Sequence, residues 1–339
     1  PAIYSLSRQQ SWFNALRYKL DMDNNWSLRV SLNADLHRVR TRDTVQLTGY
    51  REKRRQMSGL VALHKKWGER LNIKVMLRQE YAGNRRIPLI PYLGLDYRLL
   101  KGHNLMLKAN VGRNYRVPSL NDLYWQPGGN PALQPEKGIS YEAGLAYRKR
   151  NRHMRLHAEL TGYYSNIRDW IIWLPSYKGY WEPRNIRRVL SRGIEAAVTL
   201  TGRQGHWGYA LNSSYALTSS INLGDPLVWG DRSRGSQLVY IPRHSGNLMA
   251  SLRYRGYELT WQHNAYSERY TTSSNDITRR DWLYPYFMNN LSMGKSWRYK
   301  EWKIQARLKV NNLFNETYRS VLYRPMPGRN FMLMLMLKK

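Results

Sequence analysis

Residues 26–37 read WSLRVSLNADLH, with an apolar side chain at every second position. Trp26, Leu28, Val30, Leu32, Ala34 and Leu36 share one face, while Ser27, Arg29, Ser31, Asn33, Asp35 and His37 share the other. The same period recurs at 71–78, 154–164 and 302–310. A helix would scatter these residues around its axis; a strand with one apolar and one wet face keeps them apart. The pattern predicts fifteen strands, at 11–20, 26–37, 56–65, 71–80, 89–98, 104–115, 138–147, 153–164, 188–200, 207–219, 246–254, 257–267, 284–297, 301–314 and 329–337. Several match the about 9–11 residues of a tilted membrane strand and exceed the about 5–6 of an average soluble one.

Connection length alternates as well. Short links lie at 21–25, 66–70, 100–104, 148–152, 201–206 and 297–300. Long ones are expected near 38–55, 116–137, 165–187, 220–245, 268–283 and 315–328, with the shorter 81–88 in the same set. Antiparallel membrane barrels carry short periplasmic turns and longer external loops, so the alternation assigns sides. Trp26, Trp67, Trp207, Trp297 and Trp302 all lie beside short links, the depth that amphipathic rings favour. An odd strand count does not suit a closed bacterial barrel, and an open edge in hydrocarbon leaves backbone groups unpaired. The expectation is one strand missed, or a chain that lacks its beginning.

Composition removes other classes. There is no cysteine, which excludes disulfide scaffolds, zinc–cysteine sites and thiolate catalysis. Hydrophobic residues at 42% and aromatics at 13% argue against disorder. No run of about 18 apolar residues is present, a test that barrel strands escape. The formal charge of +32 raises nucleic acid as a partner. Yet the cations are dispersed, and the densest run, Arg51, Lys53, Arg54 and Arg55, has no zinc-finger, basic-zipper or recognition-helix context. No nucleic acid is expected; Arg and Lys on turns and loops instead suit anionic lipid or an anionic ligand. No fixed repeat supports a propeller or β-helix. The soluble alternative is a β-rich carbohydrate-binding module. The chain opens PAIYSLSRQQ without initiator Met or leader, so an export signal is expected to have been removed or to lie upstream.

The stretch 111–136 reads VGRNYRVPSLNDLYWQPGGNPALQPE. Pro118, Pro127, Pro131 and Pro135 restrict φ while Gly128 and Gly129 relax it, which predicts a shaped loop presenting Tyr124 and Trp125. Gly112–Leu120, Asp122–Tyr124 and Gly129–Glu136 in this order, then Tyr141, Glu142 and Gly144, resemble the barrel portion of TonB-dependent outer-membrane receptors. Tyr163–Ile171, Asn185, Ser191–Glu195, Ile241–His244, Val310–Asn315 with Tyr318, and Pro327–Phe331 extend the resemblance in order. It covers residues 80–339, and the strand pattern carries it to residue 11. The cobalamin and iron-chelate receptors are the branch it resembles most, although these motifs do not fix the ligand.

The resemblance implies an all-β chain: a transmembrane antiparallel β-barrel with about fifteen of 22 strands present, its N-terminal part and plug lying outside the chain. Residues 1–339 would form one partial barrel domain. It implies a transport receptor for a scarce ligand such as an iron–siderophore complex or cobalamin. Energy would come from a TonB-type transducing protein reached through the absent N-terminal region. Further implied partners are outer-membrane lipid and lipopolysaccharide, the barrel-assembly machinery and a surface lipoprotein. The family commonly ends in an aromatic residue, whereas this chain ends Met336-Leu337-Lys338-Lys339. The alternatives are a passive porin-like channel and an inactive receptor fragment.

No catalytic constellation, cofactor or metal site is expected. Asp122 and Glu136 read as loop-fixing acceptors, and the histidines lack metal-ligand spacing. The ligand-contact candidates are Tyr124, Trp125, Trp170, Trp173, Tyr177, Tyr180, Trp181, Arg184 and Trp229, since rings offer large contact area at low entropy cost. Arg29, Asp35, Arg155, His157, Glu159 and Arg307 are expected on the lumen face, toward a plug or one another.

Overall fold

The computed structural model describes residues 5–45, 47–100, 104–224, 232–278 and 282–338. Its strands in chain order are β1 Ser5–Met22, β2 Trp26–Asp43, β3 Arg51–Trp67, β4 Leu71–Ala82, β5 Arg85–Arg86, β6 Ile90–Arg98 and β7 Asn104–Arg116. A short helix α1, Leu120–Tyr124, follows. Then come β8 Glu136–Arg150, β9 Met154–Pro175, β10 Trp181–Gln204, β11 Trp207–Asn222, β12 His244–Tyr254, β13 Tyr257–Tyr266, β14 Tyr286–Tyr299 and β15 Trp302–Asn311. The small pair β16 Arg319–Val321 and β17 Arg324–Pro325 precedes β18 Asn330–Lys338.

Fifteen of these make one antiparallel meander, each hydrogen-bonded to its chain neighbours; β5 is a side branch on β4. The path does not return on itself among the described residues: β1 pairs β2 and β18 pairs β15. All fifteen strands expected from the alternation are present. Their bounds at the short-turn end agree closely with the pattern. At Asn24 and Asn25 both residues take positive φ (58° and 60°), the hairpin geometry that matches strand twist.

The two faces differ as the period requires. On β2, Leu28, Val30, Leu32, Ala34 and Leu36 point one way, in register with Leu63, Val61, Gly59, Met57 and Arg55 of β3. Leu32, Met57 and Val61 are exposed there, as are Leu145, Leu160 and Ile194 further along the sheet. An apolar face left open on this scale needs an apolar solvent. Aromatics cluster at its short-turn margin. Trp26 and Trp67 rings lie 6.2 Å apart with the Lys65 ammonium over both, and Trp207 stacks on Tyr254 at 4.4 Å.

Two expectations are corrected at the long-loop end. The connections at 38–55 and 165–187 are largely strand: β2 runs to Asp43, β3 begins at Arg51, and β9 and β10 pair up to Pro175↔Trp181. Alternation marks only the stretch with apolar surroundings on one side. Beyond it both faces are wet or loop-covered, so the period fades while the backbone ladder continues. The REKRR run accordingly sits on β3 and not on a loop.

The largest fully buried side chains are Ile87, Leu133, Leu283, Val189 and Pro183. Ile87, Leu133 and Leu283 lie on long-side loops, Pro183 near the start of β10, and Val189 further along β10 beside the end of β11; the cluster of Ala82, Ile87 and Ile90 with Tyr115 and Val117 is on the same side. The wall has no interior of its own. The packed core is the loop assembly above it.

Candidate functional site

The loop from β7 to β8 is built around α1. Ser119 caps it: its Oγ accepts from the Asp122 amide (3.0 Å) and its own amide donates to Asp122 Oδ2 (2.8 Å). This reciprocal cap fits the Ser-x-x-acid spacing, with Asp122 in place of a longer acid. Asp122 is buried, and its Oδ1 accepts the indole N–H of Trp173 from β9 at 2.9 Å. Glu136, also buried, receives Arg116 Nε at 2.9 Å and Nη2 at 2.5 Å, and its Oε1 accepts the Ile171 amide at 2.8 Å. Two acids thereby join three separate segments.

A third joint is Asn185. Its Oδ1 accepts the Gln134 amide (2.9 Å), while its Nδ2 donates to the carbonyls of Gln134 (3.0 Å) and Asp169 (2.6 Å). Asp169 takes φ 58°, and the register is the same on either side of it, Arg188↔Arg168 and Ile186↔Trp170. Ile171, two residues on, is buried. Asn185→Ala removes all three bonds. Amide exchange at Gln134 is expected to rise on the order of tenfold, from about 1–1.5 kcal/mol of net bonding, while strand amides stay protected. An unchanged rate at Gln134 would reject the joint.

The β2–β3 loop closes the assembly. The Tyr50 phenol donates to Asn121 Oδ1, its ring lies 6.2 Å from Tyr124, and the Gly49 amide donates to Gln126 Oε1 at 3.1 Å. Burial, helped by the nearby Asp122 charge, raises the Tyr50 pKa, which keeps it a donor. Arg54 Nη2 donates to the Pro118 carbonyl at 2.7 Å. Gly128, at φ +116°, lies against the Trp181 carbonyl oxygen where any Cβ would overlap. Farther round, Trp181 meets Tyr240 (6.5 Å between rings), and Asn275 exchanges two bonds with Gln237.

The predicted contact residues separate into two sets. Tyr124, Trp125, Trp170, Trp173 and Tyr180 are partly buried, and Trp173 is committed to Asp122. Tyr177 (91% exposed), Trp181 (43%) and Arg184 are open at the top of the β9–β10 hairpin. There Lys178 bridges to Glu182 at 3.1 Å and lies over the Tyr177 and Tyr180 rings; Arg184 Nη2 reaches Glu182 Oε2 at 3.3 Å. Trp229 lies outside the described residues. Tyr50, Asn121 and Arg116 are missing from the sequence-derived set. A proline- and glycine-rich loop signals shape, but not which distant segment closes it.

The wet face carries the other candidates. Glu159 binds Lys108 Nζ (2.8 Å) and His157 Nε2 (3.1 Å), and Arg307 Nη2 binds Glu258 Oε2 at 2.9 Å. Arg29 lines a polar groove with Lys74 and Lys108. Asp35 and Arg155 occupy positions of the same parity on β2 and β9. Among the described residues no group of three or more potential metal ligands occurs.

Residues 2–313 match the family model described as TonB dependent receptor-like, beta-barrel. The chain belongs to the TonB-dependent receptor family. The vitamin B12 transporter BtuB of Photobacterium profundum is 38% identical over 95 residues, covering 27% of this chain and 15% of that protein. Among solved structures, the copper transporter OprC superposes with a TM-score of 0.73 at 16% identity, over 96% of this chain and 56% of that one. The ferric enterobactin receptor of Pseudomonas aeruginosa, solved with enterobactin, gives 0.71 at 18% identity, over 98% and 54%. This TonB-dependent receptor chain thus spans about half the length of those solved relatives. Its meander is wall of a transmembrane antiparallel barrel in the bacterial outer membrane, and its open apolar face is the lipid-facing surface.

Proposed function

We propose that this chain supplies wall and binding platform for an outer-membrane receptor that takes up a scarce chelate, either cobalamin or an iron–siderophore complex. An inner-membrane TonB-type complex energises the uptake. The observation that carries the reading is the loop assembly: Asp122, Glu136 and Asn185 fasten the β7–β8 loop to the β9–β10 hairpin, Gly49, Tyr50 and Arg54 add the β2–β3 side, and Tyr177, Trp181 and Arg184 stand exposed on the block. A preorganised aromatic surface binds a rigid ligand without paying to order itself. In this reading Trp173 positions the hairpin through Asp122, and Tyr177 and Trp181 touch the ligand. BtuB, a vitamin B12 transporter, supports the cobalamin reading as a sequence relative; the ferric enterobactin receptor supports the iron–siderophore reading as a fold relative.

The test uses cells carrying the receptor at its full natural length, fed labelled cyanocobalamin or ferric enterobactin. Tyr177→Ala with Trp181→Ala is expected to lower uptake of one of them on the order of tenfold or more, the scale of losing buried aromatic anchors. The folded barrel, seen by heat-modifiable migration, stays at its normal level. Unchanged uptake of both compounds rejects the platform. Uptake that survives collapse of the proton gradient rejects the energised mechanism in favour of passive diffusion.

A further inference from the structure

On β2 the lipid-facing positions run Leu28, Val30, Leu32, Ala34, Leu36 and then Arg38, Arg40 and Arg42. On β3 the same face runs Val61, Gly59, Met57 and then Arg55, Lys53 and Arg51. All six cations are exposed. The switch from apolar to cationic is abrupt and occurs at matching height on both strands. Register places Arg40 opposite Arg51 and Arg38 opposite Lys53, and on the other side Arg8 of β1 opposite Arg40. Directly opposed like charges, about 5 Å apart at Cα, destabilise a sheet unless an anion lies between them.

Among the described residues of β1 to β3 no acid shares this face with them. Asp35, Asp43 and Glu52 occupy the alternate parity, which turns them to the wet side; Arg54 of that parity is the one tied to Pro118. Among the described residues none of these outward cations makes a salt bridge. Arg38 instead lies over the Trp12 ring, 5.0 Å from its centroid, and Trp12 is exposed on the lipid side. A ring of that kind marks the level where acyl chain gives way to headgroup. The family places this end of the strands outside, so the level belongs to the outer leaflet.

We propose that the outward face of the β1–β3 sheet above Leu36 and Met57 is a binding site for phosphorylated headgroups of the outer-leaflet glycolipid. The spacing suits a ligand with more than one phosphate: each phosphate sits between opposed cations of neighbouring strands, while its acyl chains lie along Leu32, Ala34 and Met57. Charge segregation by face is what a soluble anion would not require. The site rests on the outer-membrane barrel and is independent of which compound is taken up.

The test titrates detergent-purified receptor with mixed micelles of diphosphorylated lipid A, with the same lipid after dephosphorylation, and with inorganic phosphate. Arg38→Gln/Arg40→Gln/Lys53→Gln is expected to weaken binding of the phosphorylated lipid on the order of a hundredfold at low salt. Dephosphorylated lipid should bind the native receptor as weakly as the variant binds the intact lipid. Inorganic phosphate should not displace bound lipid. Equal affinity of the variant and native receptor, equal affinity for both lipids, or ready displacement by phosphate would each overturn the proposal. Should the triple variant not assemble, Arg40→Gln alone is expected to lose about fivefold, and no loss rejects the site. Ligand uptake measured in parallel keeps this result separate from the transport reading.

Discussion

Replacing Asp122 with alanine is expected to release the loop between β7 and β8 while the barrel wall still assembles. The carboxylate accepts from the Ser119 amide and from the Trp173 indole in a buried setting. Leaving the two donors unpaired costs about 1–3 kcal/mol each, the Ser119 share being the lost half of the reciprocal cap. The sum, about 2–6 kcal/mol, is comparable with the free energy at which surface segments open locally. The wall does not depend on it, because the ladders from β6 to β10 continue without that loop. Limited proteolysis of the receptor in outer membranes would then cut within 117–135, where the native loop resists. Asp122→Asn keeps one acceptor and should show about half the effect. Equal protease resistance of Asp122→Ala and native receptor would remove Asp122 from the centre of the assembly.

The second large effect concerns the wall. Gly193→Val is expected to abolish assembly, with heat-modifiable barrel lost from the membrane fraction. Gly193 pairs with Tyr163 on one side and Thr218 on the other. A Cβ there would lie 2.8 Å from Tyr163 Oη and 2.9 Å from its Cε1, and would overlap the Leu217 carbonyl oxygen. The tyrosine is held by its hydroxyl on Thr218 Oγ1 at 3.2 Å, and the carbonyl belongs to the backbone of β11. The ring can move only by giving up that bond, and the carbonyl cannot retreat without opening the β10–β11 ladder, a cost above the usual about 1–3 kcal/mol of an overpacked site. Gly162 is a built-in control. It lies beside this row on the lipid-facing parity, with nothing nearer than 3.9 Å to an added Cβ. Gly162→Val should assemble normally. If both variants assemble, or both fail, crowding at Gly193 is not the reason for its glycine.

The wall was legible in the sequence because hydrocarbon imposes a two-residue period wherever it touches a strand. Leu28 to Leu36 against Arg29 to Asp35 suffices to place β2, its faces and its neighbours. The period ends where the hydrocarbon does. For that reason WIIWLP, in which both parities are apolar, read as connection although it pairs residue by residue with β10. Asp122 and Glu136 were legible as loop-fixing acids, since a carboxylate amid proline and glycine has few other uses. Their partners were not. Trp173 lies 51 residues from Asp122 and Asn121 lies 71 from Tyr50, distances that only the folded loops close. The basic surface was half legible. Arg38, Arg40 and Arg42 already keep period two in the sequence, but the face they occupy follows only once the strand is known to extend past Leu36.

The length of the β9–β10 hairpin has a mechanical meaning. Cross-strand pairs run from Met154↔Gly202 to Pro175↔Trp181 in one register. Its 24-residue arm measures about 80 Å along the chain at about 3.3 Å per residue. A tilted crossing of a hydrocarbon layer about 25 Å thick uses less than half of that. The remainder is a ribbon stiffened by its own ladder and continuous with the wall, and it behaves as a mast rather than a tether. Its aromatic tip cannot fold down independently over anything held beneath it. Closure over a bound molecule therefore falls to the shorter connections around it, and the mast is the fixed post against which they would shut.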